Sequence, residues 1–385
     1  MPEELKARVR ARLDELQQHQ LLRTLCPPTG IDLSSNDYLG FANHPLLKAR
    51  MMDAVEREGC GSTGSRLLRG ERESFAAIEH RFASFKGSER ALYFSSGYLA
   101  NLAVLATLPE AGDLILSDER NHASLIDGIR LSAAARVMFP HCDIAAVARL
   151  IDEYQGGGQI FVVTESLFSM DGDYAPLAEY ATICRAKGAA LIVDEAHAVG
   201  IFGRRGSGLI ESSGTDEEVF VSVNTAGKAL GVAGAFVAGP GWAIDYLVQR
   251  ARSFIFSTAP PPSVAAALDA SLTLVATEPE RRTALMDRAR YLRAHLVEAG
   301  IKVPDGSSQI VPVVLGENDR ALRVAGVLQS QGFDVRAIRP PTVAPGTARL
   351  RLSVNLNLTE ATLDRFVACL AAVVERSLPC SAVSS

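Results

Sequence analysis

Leu191-Ile192-Val193-Asp194-Glu195-Ala196-His197 decides the fold. Three apolar residues run without alternation into an acid, the pattern of a parallel strand covered on both faces and read at its carboxyl end. Working outward, the runs 91–94, 114–117, 160–164, 219–223 and 235–238 are mostly of the same kind, with helical periodicity between them. Strand–helix alternation at this spacing predicts an α/β sheet layer from 91 to 239. Pro260-Pro261-Pro262 breaks the chain after it.

Either side of this layer the pattern changes. Residues 2–25 predict a helix in which Leu5, Val9, Leu13 and Leu16 form one apolar stripe, ended by Cys26-Pro27-Pro28-Thr29-Gly30. A second amphipathic stretch, 44–58, stops at Gly59. Beyond the prolines one long helix is expected over 263–299. Strands are expected at 310–315 and 333–338 around a helix, an alternating strand at 348–354, and a helix from Glu360. The expected organisation is a helical segment at 1–40, a large domain at 41–262 and a smaller C-terminal α/β domain at 263–385. No internal repeat is visible.

Bulk properties exclude several classes. The 385 residues are 48% hydrophobic and 22% charged, which is globular composition. A net charge of −5 offers no positive field for nucleic acid or an anionic membrane. The six cysteines (Cys26, Cys60, Cys142, Cys184, Cys369 and Cys380) show neither CxxC nor zinc-finger spacing, so reduced thiols and no metal site are expected. No apolar run reaches membrane-spanning length. Glu3, Glu4, Lys6, Arg8, Arg10 and Arg12 do not read as a signal peptide, so a cytoplasmic protein is expected.

Two nucleotide motifs match by string and fail by context. Gly59-Cys60-Gly61-Ser62-Thr63-Gly64 fits GxGxxG, but a dinucleotide fingerprint follows a strand and this one follows a helical stretch. Asp194-Glu195-Ala196-His197 spells the DEAH of nucleotide-driven motors. That class needs an upstream GxxxxGK[ST] loop, whereas Gly227-Lys228 lies downstream, continues into Ala229 and has no glycine at 222.

The chemistry comes from Ser222-Val223-Asn224-Thr225-Ala226-Gly227-Lys228, at the end of the strand after 191–194. An acid ending one buried strand and a lysine just past a later one is the layout of a pyridoxal phosphate (PLP) site. The lysine amine forms a Schiff base with the cofactor aldehyde, and Asp194 keeps the pyridine nitrogen protonated. Ser95-Ser96-Gly97-Tyr98-Leu99-Ala100-Asn101 passes from a strand into a helix whose free amides and positive dipole end suit a phosphate. His122 and His197 follow strands in the same sense, so both can meet Asp194 and Lys228 in the crevice outside the carboxyl ends of the sheet. Glu165-Ser166-Leu167-Phe168-Ser169-Met170-Asp171-Gly172-Asp173 reads as a turn at another strand end, with Ser169 a candidate cofactor contact. Arg349 and Arg351 share one face of a strand; one could clamp a substrate carboxylate, or both could be in surface salt bridges. His19, His44, His80, His141 and His295 read as structural.

These segments, with Ser34-Ser35-Asn36-Asp37-Tyr38-Leu39-Gly40 and 61–70, resemble the α-oxoamine synthases, PLP enzymes of fold type I, from about Leu33 to Val354. Ala337-Ile338-Arg339-Pro340-Pro341-Thr342-Val343 and the stretch from Gly346 to Leu352 look most like the member that condenses L-alanine with a pimeloyl thioester, carried by CoA or acyl-carrier protein, in biotin synthesis. Sister enzymes use glycine or serine. The resemblance implies a large domain with a mainly parallel sheet and a smaller C-terminal domain. It makes Lys228 the Schiff-base lysine, with Asp194 on the pyridine nitrogen, His197 on the ring hydroxyl oxygen and His122 stacked on the ring. Gly97, Tyr98 and Thr225 hold the phosphate, and Ser169 is a further contact. Ser257 and Thr258 reach the phosphate of a neighbouring subunit, which implies a homodimer with shared sites. Arg351, with Asn36 nearby, binds the amino-acid carboxylate; Arg23 and Thr342 contact the acyl substrate.

Overall fold

The computed structural model describes residues 2–376, so Cys380 and the end of the expected C-terminal domain lie outside the described residues. Among the described residues there are twelve strands: β1 (Ile31–Asp32), β2 (Arg90–Phe94), β3 (Leu114–Asp118), β4 (Ala135–Phe139), β5 (Ile160–Glu165), β6 (Ala190–Asp194), β7 (Val219–Thr225), β8 (Ala235–Gly239), β9 (Ile310–Gly316), β10 (Phe333–Asp334), β11 (Ala337–Ile338) and β12 (Ala348–Ser353). Contacts divide the chain into two units. The larger takes in Asn36–Ser169 and Asp173–Thr283; the smaller takes in the chain up to Ser35, Met170–Gly172 and the chain from Ala284.

The larger unit is built on a seven-stranded sheet in the order β2-β8-β7-β6-β5-β3-β4. β3 to β7 are parallel, and β8 runs antiparallel to both neighbours, β2 and β7. Successive side chains of a strand point to opposite faces, and here both faces are covered. On one face Ile192, Val163, Ile115, Val221 and Val237 pack with Ala100, Ala103 and Val104 of the helix Gly97–Thr107. On the other, Leu191, Val193, Val162 and Leu116 pack with Tyr180 and Ala181 of the helix Leu177–Lys187. Each fully buried aliphatic contributes about 1.5–3 kcal/mol. This two-sided burial is why the strands read as unbroken apolar runs.

The smaller unit has a three-stranded antiparallel sheet in the order β11-β12-β9 and a parallel pair, β1-β10. The helices Asn318–Ser330 and Glu360–Arg376 belong to it.

Several elements differ from the sequence reading. The single helix expected over 263–299 is two, Ser263–Thr277 and Glu280–Glu298, because Pro279 supplies no amide to continue the first. Ser263–Thr277 groups with the larger unit, where it packs on the helix Pro45–Glu58. The strand expected at 333–338 is two short ones in different sheets. The first helix stops at Gln18, short of residue 25, and Gln20 takes a left-handed φ of 57°. Its stripe of Leu5, Val9, Leu13 and Leu16 is exposed. No helix among the described residues is long and apolar enough to cross a membrane.

Candidate active site

Because β2, β3, β5, β6 and β7 run in one sense, their carboxyl ends share an edge of the sheet, and the loops leaving them carry most of the candidate residues. After β2 the chain enters the helix Gly97–Thr107, capped by Ser96 Oγ, which accepts from the Leu99 amide at 3.2 Å. The amides of Gly97 and Tyr98 lie in the first turn, where no intrahelical acceptor exists. Thr225, the last residue of β7, faces this turn: a Cβ on Gly97 would lie 2.5 Å from Thr225 Oγ1. Glycine at 97 therefore lets a hydroxyl and two helix-end amides converge. The Tyr98 side chain turns outward, its hydroxyl bonded to Asp127.

Asp194 ends β6 and is buried. Its Oδ2 accepts from Asn101 Nδ2 at 2.7 Å and its Oδ1 from the Ala196 amide at 2.8 Å. Asn101 also donates to Ser124 Oγ at 2.9 Å, and Ser124 Oγ lies 2.8 Å from His122 Nδ1. The Ser124 amide donates to the same nitrogen at 3.2 Å, so His122 caps the helix Ala123–Leu131 through Nδ1 as an acceptor. Burial lowers the His122 pKa, with Lys228 adding to the effect and Asp194 opposing it. The ring is thereby kept neutral.

The Lys228 amine lies 2.8 Å from His197 Nε2. His197 Nδ1 lies 2.7 Å from the Tyr38 hydroxyl, which donates to Asn36 Oδ1 at 2.9 Å. His197 thus links the lysine amine to the Tyr38 hydroxyl through its two ring nitrogens. The neighbouring Glu195 faces elsewhere. It is fully buried, pairs with Lys86 Nζ at 2.5 Å, and accepts the Leu209 and Ile210 amides at 2.6 and 3.1 Å. The second letter of the DEAH string is thus a structural ion pair capping a short helix.

The loop after β5 closes through a Leu167–Tyr174 bridge and the Phe168 amide bonded to the Asp173 carbonyl at 3.0 Å; it holds Ser169 half-buried. His141 anchors it. Its Nδ1 lies 2.9 Å from Asp118 at the end of β3, and its Nε2 lies 2.6 Å from Asp173. Burial opposes a charge on His141, but the two carboxylates outweigh it and raise its pKa to about 11. Asp118, His141 and Cys142 cluster closely enough to suggest a metal, but both ring nitrogens are engaged by carboxylates. Ser257 follows the short helix Arg252–Ile255, and Thr258 bridges Ser65.

Four candidates lie on the smaller unit. Arg351 on β12 is 7% exposed and donates to Ser353 Oγ at 2.7 Å. Arg349, on the same strand, donates to Asp171 at 2.5 Å and to the Thr347 carbonyl at 3.1 Å, so it is committed to structure. Arg23 donates to the Pro340 carbonyl at 3.3 Å, and Thr342 closes a turn with its amide on the Arg339 carbonyl at 3.1 Å.

Three residues that sequence reading did not assign join this edge: Asn101, Tyr38 and Glu165. Asn101 had a signal, as a lone amide in the apolar helix Gly97–Thr107 that must find partners if buried. A helix-end cup with a hydroxyl, a buried carboxylate and an imidazole-bonded amine is the donor set PLP requires: anion, pyridinium and aldehyde each find a partner of the right chemistry.

Residues 28–370 match the profile of the family described as aminotransferase class I and II. The 8-amino-7-oxononanoate synthase of Anaeromyxobacter dehalogenans (strain 2CP-1 / ATCC BAA-258) is 48% identical over 345 residues, which is 89% of this chain and 86% of that protein. Among solved structures, 8-amino-7-oxononanoate synthase from Francisella tularensis superimposes with a TM-score of 0.77 at 30% identity, covering 90% of this chain and 98% of that one. A serine palmitoyltransferase variant from S. paucimobilis, holding PLP joined to myriocin, superimposes with a TM-score of 0.89 at 29% identity, covering 96% and 97%.

Proposed function

Because this chain belongs to the class I and II aminotransferase family, and within it to the PLP-dependent α-oxoamine synthases of fold type I, we propose that it condenses L-alanine with a pimeloyl thioester. The products are 8-amino-7-oxononanoate, CO2 and the free thiol, a step of biotin synthesis, with CoA or acyl-carrier protein as the acyl carrier. The observation that carries the reaction class is the Lys228 amine held 2.8 Å from His197 on the edge where Asp194 is buried. The substrate pair rests on the name of the 48% identical relative. A serine-using reaction has less support, since the serine palmitoyltransferase superimposes at 29% identity.

PLP, when bound, supplies an electron sink for a carbanion at the substrate Cα. Gly97 and Tyr98 amides and Thr225 Oγ1 would hold its phosphate, Asp194 would keep the pyridine nitrogen protonated, His197 would bond the ring hydroxyl oxygen, and His122 would lie against the ring. Ser169 adds a contact. Ser257 and Thr258 of a second copy complete the phosphate site in a homodimer; exposed Phe256 beside them, 71% accessible, supports a covering partner. Arg351 and Asn36 orient the alanine carboxylate, while Arg23 and Thr342 take the acyl group.

Lys228 would hold the cofactor aldehyde, and its free amine would remove the alanine Cα proton as general base. The Cα then bonds to the acyl carbonyl carbon as the thiolate leaves. The resulting β-keto acid loses CO2, and Lys228 returns one proton to Cα. His197, held by Tyr38, stands beside the lysine amine. Lys228→Ala, purified with PLP, is expected to release no thiol from pimeloyl-CoA with alanine; turnover near the parent's would overturn the assignment.

A further inference from the structure

One buried acid at the sheet edge takes no part in the chemistry above. Glu165 ends β5 and is the register partner of Asp194 at the end of β6. Register partners in a parallel pair send their side chains to the same face, so the two carboxyls stand side by side. Asp194 is engaged on both oxygens, by Asn101 and the Ala196 amide. Glu165 is 3% exposed, and its Oε1 is buried with no hydrogen-bond partner among the described residues. The charged and titratable groups facing it are Asp194 from β6, Lys228 from the turn after β7, His122 from the start of its helix and Asp118 from β3.

Two neighbouring carboxylates out of reach of water do not both ionise. Burial first, and then Asp194, push Glu165 up to about 8, against the pull of Lys228. We propose that Glu165 is a positioning residue that works as a neutral acid. It keeps its proton at neutral pH, so that the paired carboxyls at the ends of β5 and β6 do not both carry charge beside Lys228. This inference rests on the reading of Lys228 and Asp194 as the cofactor site. Its chemical signature is that glutamine, which cannot ionise, replaces it at neutral pH.

The sign of the pH effect follows from linkage. Between the ordinary value of 4.5 and about 8 the native protein keeps a proton that the unfolded chain has lost, so the parent's stability falls as pH rises through that window. Glu165→Gln has no such loss. The test compares the parent holoenzyme with Glu165→Gln from pH 5 to 9, reading the thermal midpoint and the absorbance of bound PLP. The midpoint of the variant relative to the parent is expected to rise steadily up to about pH 8 and level off above it. An absorbance step near pH 8 in the parent should be missing from the variant. A midpoint difference that is the same at every pH, or a step that survives in the variant, overturns the proposal. If the variant does not fold, the infrared carbonyl band of a protonated carboxylic acid is read in the parent alone: its loss as pH passes 8 supports the proposal, and its absence at pH 6 overturns it. Lys228→Ala serves as the control. If that variant still shows the PLP–lysine absorbance, the cofactor-site reading falls; if it does not and Glu165→Gln behaves as the parent, only the Glu165 proposal falls.

Discussion

Replacing Gly97 by alanine tests the phosphate cup without touching the lysine. The added Cβ would lie 2.5 Å from Thr225 Oγ1 and 3.6 and 3.7 Å from Thr225 Cβ and Cγ2. Only the hydroxyl contact is impossible, so the strain is relieved by turning Thr225 about χ1, which takes the hydroxyl out of the cup. Overpacking of this kind costs roughly 1–3 kcal/mol. Charged to the bound state, that is a loss of about 5- to 150-fold in PLP affinity. The assay is titration of the apo protein with PLP, followed by its absorbance. Thr225→Ala removes the clashing oxygen, so the double variant should bind PLP about as Thr225→Ala alone does. Residues in contact give coupling energies of about 0.5–3 kcal/mol in such a cycle. Parent-like affinity in Gly97→Ala, or strictly additive losses in the double variant, would refute the cup.

Other perturbations probe the remaining parts. Asp194→Asn should slow exchange of the alanine Cα proton with solvent by at least ~10²-fold, measured by deuterium incorporation; a parent-like rate would contradict the role of Asp194. Lys86→Met leaves Glu195 without its cation at a site that is 4% and 0% exposed for the two side chains. It should cost about 3–5 kcal/mol in denaturant unfolding, and Lys86→Met with Glu195→Gln should recover part of it. His141→Asn should destabilise most in mild acid. The His141 contribution is fully present below its ordinary 6.5 and is lost as pH rises towards about 11, so the gap between parent and variant midpoints should narrow from pH 6 to pH 10.

The strands that carry the site were legible because burial on both faces leaves near-continuous apolar runs ending in the residues that matter: Asp194 on β6, Thr225 on β7, and His122 four residues past β3. β4 was missed because Ala135 to Met138 are exposed at the sheet edge and no buried run marks them. The break at Pro279 was written in the sequence and overridden by the helical pattern around it. What local pattern could not give is pairing across the chain. Tyr38 reaches His197 over 159 positions, and Asn101 reaches Asp194 over 93. Glu165 was read as part of a turn because its significance is its register with Asp194, which exists only once β5 and β6 pair. Arg349 and Arg351 alternate alike in sequence, and only the folded chain shows Arg349 committed to Asp171.

The central claim is tested most directly by thiol release from pimeloyl-CoA in the presence of PLP, run in parallel with L-alanine, glycine and L-serine. Release with alanine, and at most a trace with the other two, is the predicted result. Release driven by glycine or serine in place of alanine, or none with any of the three, would contradict the proposed reaction.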